Sequence, residues 1–190
     1  MKIQSAEFIK GIRGTDPILY DGIPQIAFIG RSNVGKSSVI NALVGSKTLV
    51  KTGKKPGKTT EINFFEVNKR VYFVDLPGYG YAKVNPKEKE KIKKLIFWYL
   101  SYSDVKPRTI ALILDVKAGL TDFDKETLEL LGEQNHNYLI VVNKIDKLGK
   151  EELSKQLAHI GQESGQESFP CSARTGVGVN KILEKLLSSG

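Results

Sequence analysis

Gly30-Arg31-Ser32-Asn33-Val34-Gly35-Lys36-Ser37 decides the fold. It fits G-x-x-x-x-G-K-[ST], in which glycines let the backbone wrap closely enough for successive N–H groups to face an anion. Gln25 to Ile29 before it reads as a buried strand, and Lys36 to Val44 after it as a helix stopped by Gly45. The helix N-terminus adds its positive dipole end to the loop amides. Gly30 to Ser38 therefore reads as a phosphate loop. Lys36 reaches β- and γ-phosphates, and the Ser37 hydroxyl binds Mg²⁺. A glycine turn with a stray lysine is the alternative, and the strand–loop–helix context argues against it.

Outward from this loop, short apolar runs alternate with longer helical patterns, which predicts an α/β fold. Ile62 to Val67 and Arg70 to Asp75 read as strands of an antiparallel hairpin turning at Asn68-Lys69. Pro86 opens a long helix with Ile92, Leu95, Ile96, Tyr99 and Tyr102 on one face. Strands are expected at Ile110 to Asp115, Tyr138 to Asn143 and around Phe169. Helices are expected near Asp124 to Gln134, Glu151 to Ile160 and Val179 to Leu187. Ser46 to Lys58, rich in Lys and Gly, reads as a mobile loop. The expected architecture is a three-layer P-loop NTPase fold in one domain over 1–190. Its central sheet is mainly parallel with one antiparallel strand, and helices cover both faces.

Two further segments carry chemistry. Val71 to Asp75 is an apolar strand that ends in a carboxylate, followed by Leu76-Pro77-Gly78. At the carboxyl edge of the sheet, where open α/β folds bind ligands, Asp75 would hold Mg²⁺ through water and the Gly78 N–H would meet a γ-phosphate. A threonine hydroxyl at Thr59 or Thr60 would complete the metal shell; a plain surface pair is the other reading. Asn143-Lys144-Ile145-Asp146 follows the strand ending at Asn143. An ionised Asp146 accepts two hydrogen bonds, matching the adjacent N1–H and 2-amino donors of guanine. Adenine lacks that pair, and a site built of buried polar groups rejects it for that reason. Asn143 would brace loops and the Lys144 stem would cover one face of the base. In Ser172-Ala173-Arg174 the backbone N–H of Ala173 would meet the guanine 6-oxygen.

The composition bounds the rest. The chain has 190 residues, 40% of them hydrophobic, with 29 Lys+Arg against 21 Asp+Glu and a net charge of +8. That suits a soluble protein with a polyanionic partner. The longest apolar run, Leu95 to Leu100, falls far short of the roughly 18 residues of a membrane span. Met1 to Glu7 shows no signal-peptide core, so a cytoplasmic location is expected. The single cysteine, Cys171, excludes an internal disulfide and fits a reducing compartment. It reads as a small buried residue. His136 and His159 have no visible catalytic or metal partner.

These residues resemble the translation-factor class of P-loop GTPases and, more narrowly, the EngB (YihA/YsxC) family of ribosome-biogenesis GTP-binding proteins. The carrying segments are Gly30 to Ser38, Pro56-Gly57-Lys58-Thr59, Ile62-Asn63-Phe64-Phe65 and, most specific, Asp75-Leu76-Pro77-Gly78-Tyr79-Gly80-Tyr81-Ala82. The resemblance implies GTP/GDP binding at these loops, including Gly57, Lys58, Leu76 and Pro77. It implies slow hydrolysis resting on Lys36, Thr59 and Gly78, with Mg²⁺ at Ser37, Thr59 and Asp75. It also implies action on the large ribosomal subunit and its rRNA during assembly, and a need for the protein in cell division and septation. Lys58 stands where the family often has Arg, and Arg174 where GTPases often have Lys.

Many relatives place a water-orienting glutamine directly after the motif glycine, where this chain has Tyr79, so low intrinsic turnover is expected. Asn33 leaves two readings open: it stabilises the turn, or its carbonyl helps hold K⁺, as in the potassium-dependent GTPases it resembles. Lys47, Lys51, Lys54, Lys55 and Lys58 crowd one presumed switch. Lys83, Lys87, Lys89, Lys91, Lys93 and Lys94 crowd the other, where a solvated helix face competes with RNA contact. Phe64, Phe65, Tyr79 and Tyr81 read as packing residues. Competing functions are a metabolic kinase, which Asp146 argues against, and a signalling-type small GTPase, which would need a terminal lipidation cysteine. A nucleotide-dependent interaction module with negligible turnover also competes. A monomer is expected.

Overall fold

The computed structural model describes residues 3–51, 61–80, 85–101 and 109–188. The expected switch residues Gly57, Lys58, Thr59 and Thr60 lie outside these residues, as do Lys54, Lys55, Lys83, Tyr81 and Tyr102 and the part of the expected 46–58 loop beyond Lys51. The strands are β1 (Ala6–Ile12), β2 (Gln25–Gly30), β3 (Ile62–Val67), β4 (Val71–Asp75), β5 (Thr109–Asp115), β6 (Tyr138–Asn143) and β7 (Ser168–Pro170). The helices are α1 (Lys36–Leu43), α2 (Pro86–Ser101), α3 (Asp122–Glu133), α4 (Lys150–Ser164) and α5 (Val179–Ser188).

The strands form one sheet in the order β1-β3-β4-β2-β5-β6-β7. Strand β2 pairs in parallel with β4 and β5, and β6 and β7 continue the parallel run. Both partners of β3 are antiparallel to it, so β3 alone runs against the rest, as expected. Its hairpin to β4 pairs Val67 with Val71, so β4 starts one residue after the expected Arg70 and three residues, Asn68 to Arg70, make the turn; Asn68 and Lys69 take left-handed φ of 53° and 54° there.

Side-chain alternation along the strands builds two cores. Ile26, Phe28, Ala111, Ile113, Leu139 and Val141 pack with Val39, Ile40 and Leu43 of α1 and with Val179, Ile182 and Leu186 of α5. Ala27, Ile29, Leu112, Leu114, Ile140 and Val142 point the other way, toward Ile92, Ile96 and Tyr99 of α2, Leu131 of α3 and Ile160 of α4. Fully burying one such side chain stabilises by about 1.5–3 kcal/mol. Period-2 apolar strands covered on both faces therefore force the three layers. Phe64 and Phe65 are buried, one in each core, as packing residues.

No strand is expected before Gln25, and the structure adds β1 at the sheet edge. Only Ile12 of β1 is fully buried, and a bulge at Ile9 breaks its alternation, so the pattern gives no strand signal. A distant residue holds it in place. The side-chain oxygen of Asn68 accepts from the N–H groups of Gln4 and Ser5 at 2.7 and 3.1 Å.

Candidate functional site

The chemistry-bearing segments follow the carboxyl ends of five strands that are neighbours in the sheet. The phosphate loop leaves β2, Asp75 ends β4, Asp115 ends β5, Asn143 ends β6, and Ser172 stands two residues beyond β7. Parallel strands bring these ends to one edge, where open α/β sheets take ligands.

In the loop, Gly35 caps α1 with φ 94°, a conformation that disfavours any side chain. A Cβ there would also lie 2.5 Å from Nδ2 of Asn143, so the loop and β6 meet over a bare backbone. With no side-chain cap, the first-turn N–H groups of Lys36, Ser37 and Ser38 have no intrahelical partner and are free to meet an anion. The Ser32 hydroxyl is buried and has no partner among the described residues. A buried polar group in that state marks a place where a polar ligand fits.

Lys36 and Asp75 form a buried ion pair, their side chains 8% and 2% exposed. The pair joins the phosphate-loop cation to the carboxylate of β4. Removing one partner from such a pair leaves a buried charge, which costs about 3–5 kcal/mol. Gly78 packs on Ser32: a Cβ would lie 3.2 Å from its Oγ and 3.4 Å from its Cα. The following residue is joined to the loop as well, since the Ser32 N–H donates to the Tyr79 carbonyl at 2.7 Å. The oxygen donors Ser37 and Asp75 are of the kind Mg²⁺ takes. No cluster of three or more His, Cys, Asp or Glu exists among the described residues. That composition fits Mg²⁺, which commonly binds one or two protein oxygens together with substrate phosphates.

At the other end of the edge, a hollow of about 330 Å³ is lined in part by Gly35, Ser38, Lys144, Asp146, Ala173 and Arg174. Asp146 accepts from the Ser172 hydroxyl at 2.5 Å and pairs with the Arg174 guanidinium at 2.8 Å. The Ser172 bond foremost, and then Arg174, hold its carboxyl below the usual aspartate range. A carboxylate so held stays ionised and acceptor-only, the form that guanine needs. Asn143 braces loops as expected, its Nδ2 donating to the Val34 carbonyl at 2.9 Å. Its Oδ1 accepts from Ala173 N–H at 3.1 Å. The amide expected to meet the guanine 6-oxygen is therefore already engaged, and it can serve a base only as a shared donor.

Three relationships carried no local signal in the sequence. Lys144 donates to the Asn33 carbonyl at 2.5 Å and to Asp115 at 2.6 Å, which fixes its stem beside the base hollow. Burial raises the Asp115 pKa, but the Lys144 ammonium and the Lys117 N–H outweigh it and the net shift is downward. Tyr79 is buried and donates its hydroxyl to Asp124 of α3, 45 positions along the chain. Burial first, and the Asp124 charge second, raise the Tyr79 pKa. His136 meets the Leu100 carbonyl at 2.6 Å and so anchors the end of α2, a packing role. Asn33 has φ 69°, left-handed backbone that Asn tolerates, and this accords with its turn-stabilising reading.

Known proteins resemble this chain in sequence and in fold. Residues 25–144 match a family model described as 50S ribosome-binding GTPase. The chain is 42% identical to the "Probable GTP-binding protein EngB" of Solibacter usitatus over 189 residues, covering 100% of this chain and 98% of that one. The protein of the same name from Clostridium kluyveri is 43% identical over 194 residues, with 99% and 97% covered. Among solved structures, a crystal structure of a probable GTP-binding protein engB superposes with a TM-score of 0.74 at 26% identity, covering 87% of this chain and 97% of that one.

Proposed function

The chain belongs to the EngB family of GTP-binding proteins and is a GTPase; from that premise we propose that it is a slow nucleotide switch in assembly of the large ribosomal subunit. The phosphates lie on Gly30 to Ser38, where the amides and Lys36 spread their charge. The Gly78 N–H meets the γ-phosphate from the β4 side. Asp146 reads the guanine N1–H and 2-amino group, Lys144 covers the base, and Ser172, Ala173 and Arg174 close the loop around it. Ser37 and Thr59, with Asp75 acting through water, would hold Mg²⁺, which would supply charge neutralisation at the phosphates. Gly57, Lys58, Leu76 and Pro77 complete the contacts, and Lys36, Thr59 and Gly78 carry catalysis.

Hydrolysis in such a site rests on positioning and electrostatics, with little covalent chemistry for the protein to do. The Tyr79 hydroxyl is bonded to Asp124, so it is not placed to orient an attacking water. Low intrinsic turnover follows, with the missing contribution supplied on the target. The observation that carries the ribosomal reading is the exposed lysines of α2, the helix that follows the Gly78 loop: Lys87, Lys91 and Lys94 share one face and Lys89 is exposed on the other side. Among the described residues, Lys94 makes only an exposed pair with Glu90 at 3.6 Å. The family description, 50S ribosome-binding GTPase, supports the same partner; the proposal carries with it a need for the protein in cell division and septation.

No described helix is long and apolar enough to cross a membrane, which is compatible with a cytoplasmic monomer acting on ribosomal RNA. The test is GTP turnover with and without purified large subunits. Acceleration by large but not small subunits is expected; equal rates in all three would refute the proposal. Running the assay in potassium and in sodium salts decides the second reading of Asn33, since equal rates remove K⁺ from the site.

A further inference from the structure

Tyr79 is tied down at both ends. Its carbonyl accepts from the Ser32 N–H of the phosphate loop at 2.7 Å, and its hydroxyl donates to Asp124 of α3. Between these ties its ring lies on Phe123 with centroids 4.0 Å apart, and Phe123 in turn stacks on Phe97 of α2 at 5.6 Å. The anchor is itself fixed. Asp124 is 1% exposed, and its Oδ2 accepts from the Thr121 N–H at 2.8 Å and the Thr121 hydroxyl at 2.6 Å, closing a capping box at the start of α3. Its Oδ1 is left for Tyr79.

Phenol packing alone would need no carboxylate. A buried charge is tolerated here because the capping box and the phenol together satisfy it. The result is a rod of side chains from the phosphate loop to α3. It holds Gly78, the residue before Tyr79, close against Ser32, where a Cβ on Gly78 would lie 3.2–3.5 Å from atoms of that residue.

We propose that Asp124 is a positioning residue for γ-phosphate recognition: through Tyr79 it presets the Gly78 N–H beside the phosphate loop, so the triphosphate form is bound without first ordering that segment. The inference rests on the guanine-nucleotide reading of the site. Preorganisation of this kind acts on the one ligand that uses the preset group. GDP, which has no γ-phosphate, gains nothing from it.

The test is the affinity of Tyr79→Phe for GDP and for a non-hydrolysable GTP analogue, both with Mg²⁺. The substitution keeps the ring on Phe123 and removes only the tie to Asp124. The analogue should bind about fivefold or more weakly, with GDP affinity unchanged. Leu131→Ala separates positioning from simple loosening, because it removes a buried core side chain near the far end of α3 and leaves Tyr79, Asp124 and Thr121 in place. It should lower the melting temperature and leave the GTP-analogue-to-GDP ratio as in the unsubstituted protein. An unchanged ratio in Tyr79→Phe would overturn the proposal, as would equal weakening for both nucleotides or the same ratio change in Leu131→Ala. Failure of the unsubstituted chain to bind either nucleotide overturns the site reading beneath it and the positioning role with it.

Discussion

The side-chain amide of Asn143 lies 2.9 Å from the carbonyl oxygen of Val34, joining the end of β6 to the phosphate loop across 109 positions of sequence. Because Asn143 also accepts from Ala173, one buried side chain sets the spacing between the phosphate and base ends of the site.

Asn143→Ala should therefore act on both ends at once. It leaves the Val34 carbonyl and the Ala173 N–H without partners, at about 1–3 kcal/mol each. A stability loss on the order of 3 kcal/mol is expected in denaturant titration, with faster amide exchange in both loops. Loss confined to one loop, or below about 0.5 kcal/mol, would show that the amide is not a brace.

Asp146 sets the base. Asp146→Asn replaces one acceptor by a donor, which faces the guanine 2-amino group badly but suits the 2-oxo group of xanthine. GTP affinity should fall by at least about 100-fold, two charge-assisted hydrogen bonds being worth about 1.5–3 kcal/mol each. Xanthosine nucleotides should gain affinity. Undiminished GTP binding would move the base-reading site elsewhere.

The carboxyl of Asp146 is held below the ordinary aspartate value of 3.8, by Ser172 first and Arg174 after it. A depressed folded-state pKa favours the ionised fold. Its contribution to stability is present above 3.8 and is lost as pH falls through the lower folded value. Carbon-detected NMR titration should place the inflection below 3.8 and move it upward in Ser172→Ala. An inflection that does not respond to Ser172 would contradict the arrangement.

The parts of this site legible in the sequence are those whose physics is local. Gly30 to Ser37 declares itself because glycines, a lysine and a helix start must be contiguous to hold a phosphate. Strands β2, β5 and β6 declare themselves because burial on both faces leaves unbroken apolar runs. Asp75 and Asn143 are legible as residues that end such runs. The partners of Lys36, Lys144 and Tyr79 are not, because Asp75, Asp115 and Asp124 reach them only through the sheet order. Strand β1 escapes for the converse reason: Phe8 and Ile9 are exposed at the edge and its pairing depends on Asn68. Helix α4 runs to Ser164, past the expected Ile160, and Gly165 in left-handed conformation ends it.

Lys36→Ala separates structural from ligand roles of the phosphate-loop lysine. It strands the buried Asp75 charge, so without nucleotide the protein should lose about 3–5 kcal/mol. The double substitution Lys36→Ala with Asp75→Ala should recover part of that loss in a double-mutant cycle. Strictly additive losses would mean the pair is not coupled.

The proposed switch couples the guanine site to a basic surface on α2 that would bind ribosomal RNA. Co-sedimentation with large ribosomal subunits, in GDP, in a non-hydrolysable GTP analogue and without nucleotide, tests it most directly. Binding should be strongest with the analogue and should weaken steeply as salt rises, since lysine–phosphate contacts release counterions. Charge reversal at Lys87, Lys89 and Lys91 should abolish it while nucleotide affinity is kept. Equal sedimentation in all three nucleotide conditions, or binding indifferent to salt and to those lysines, would contradict the claim.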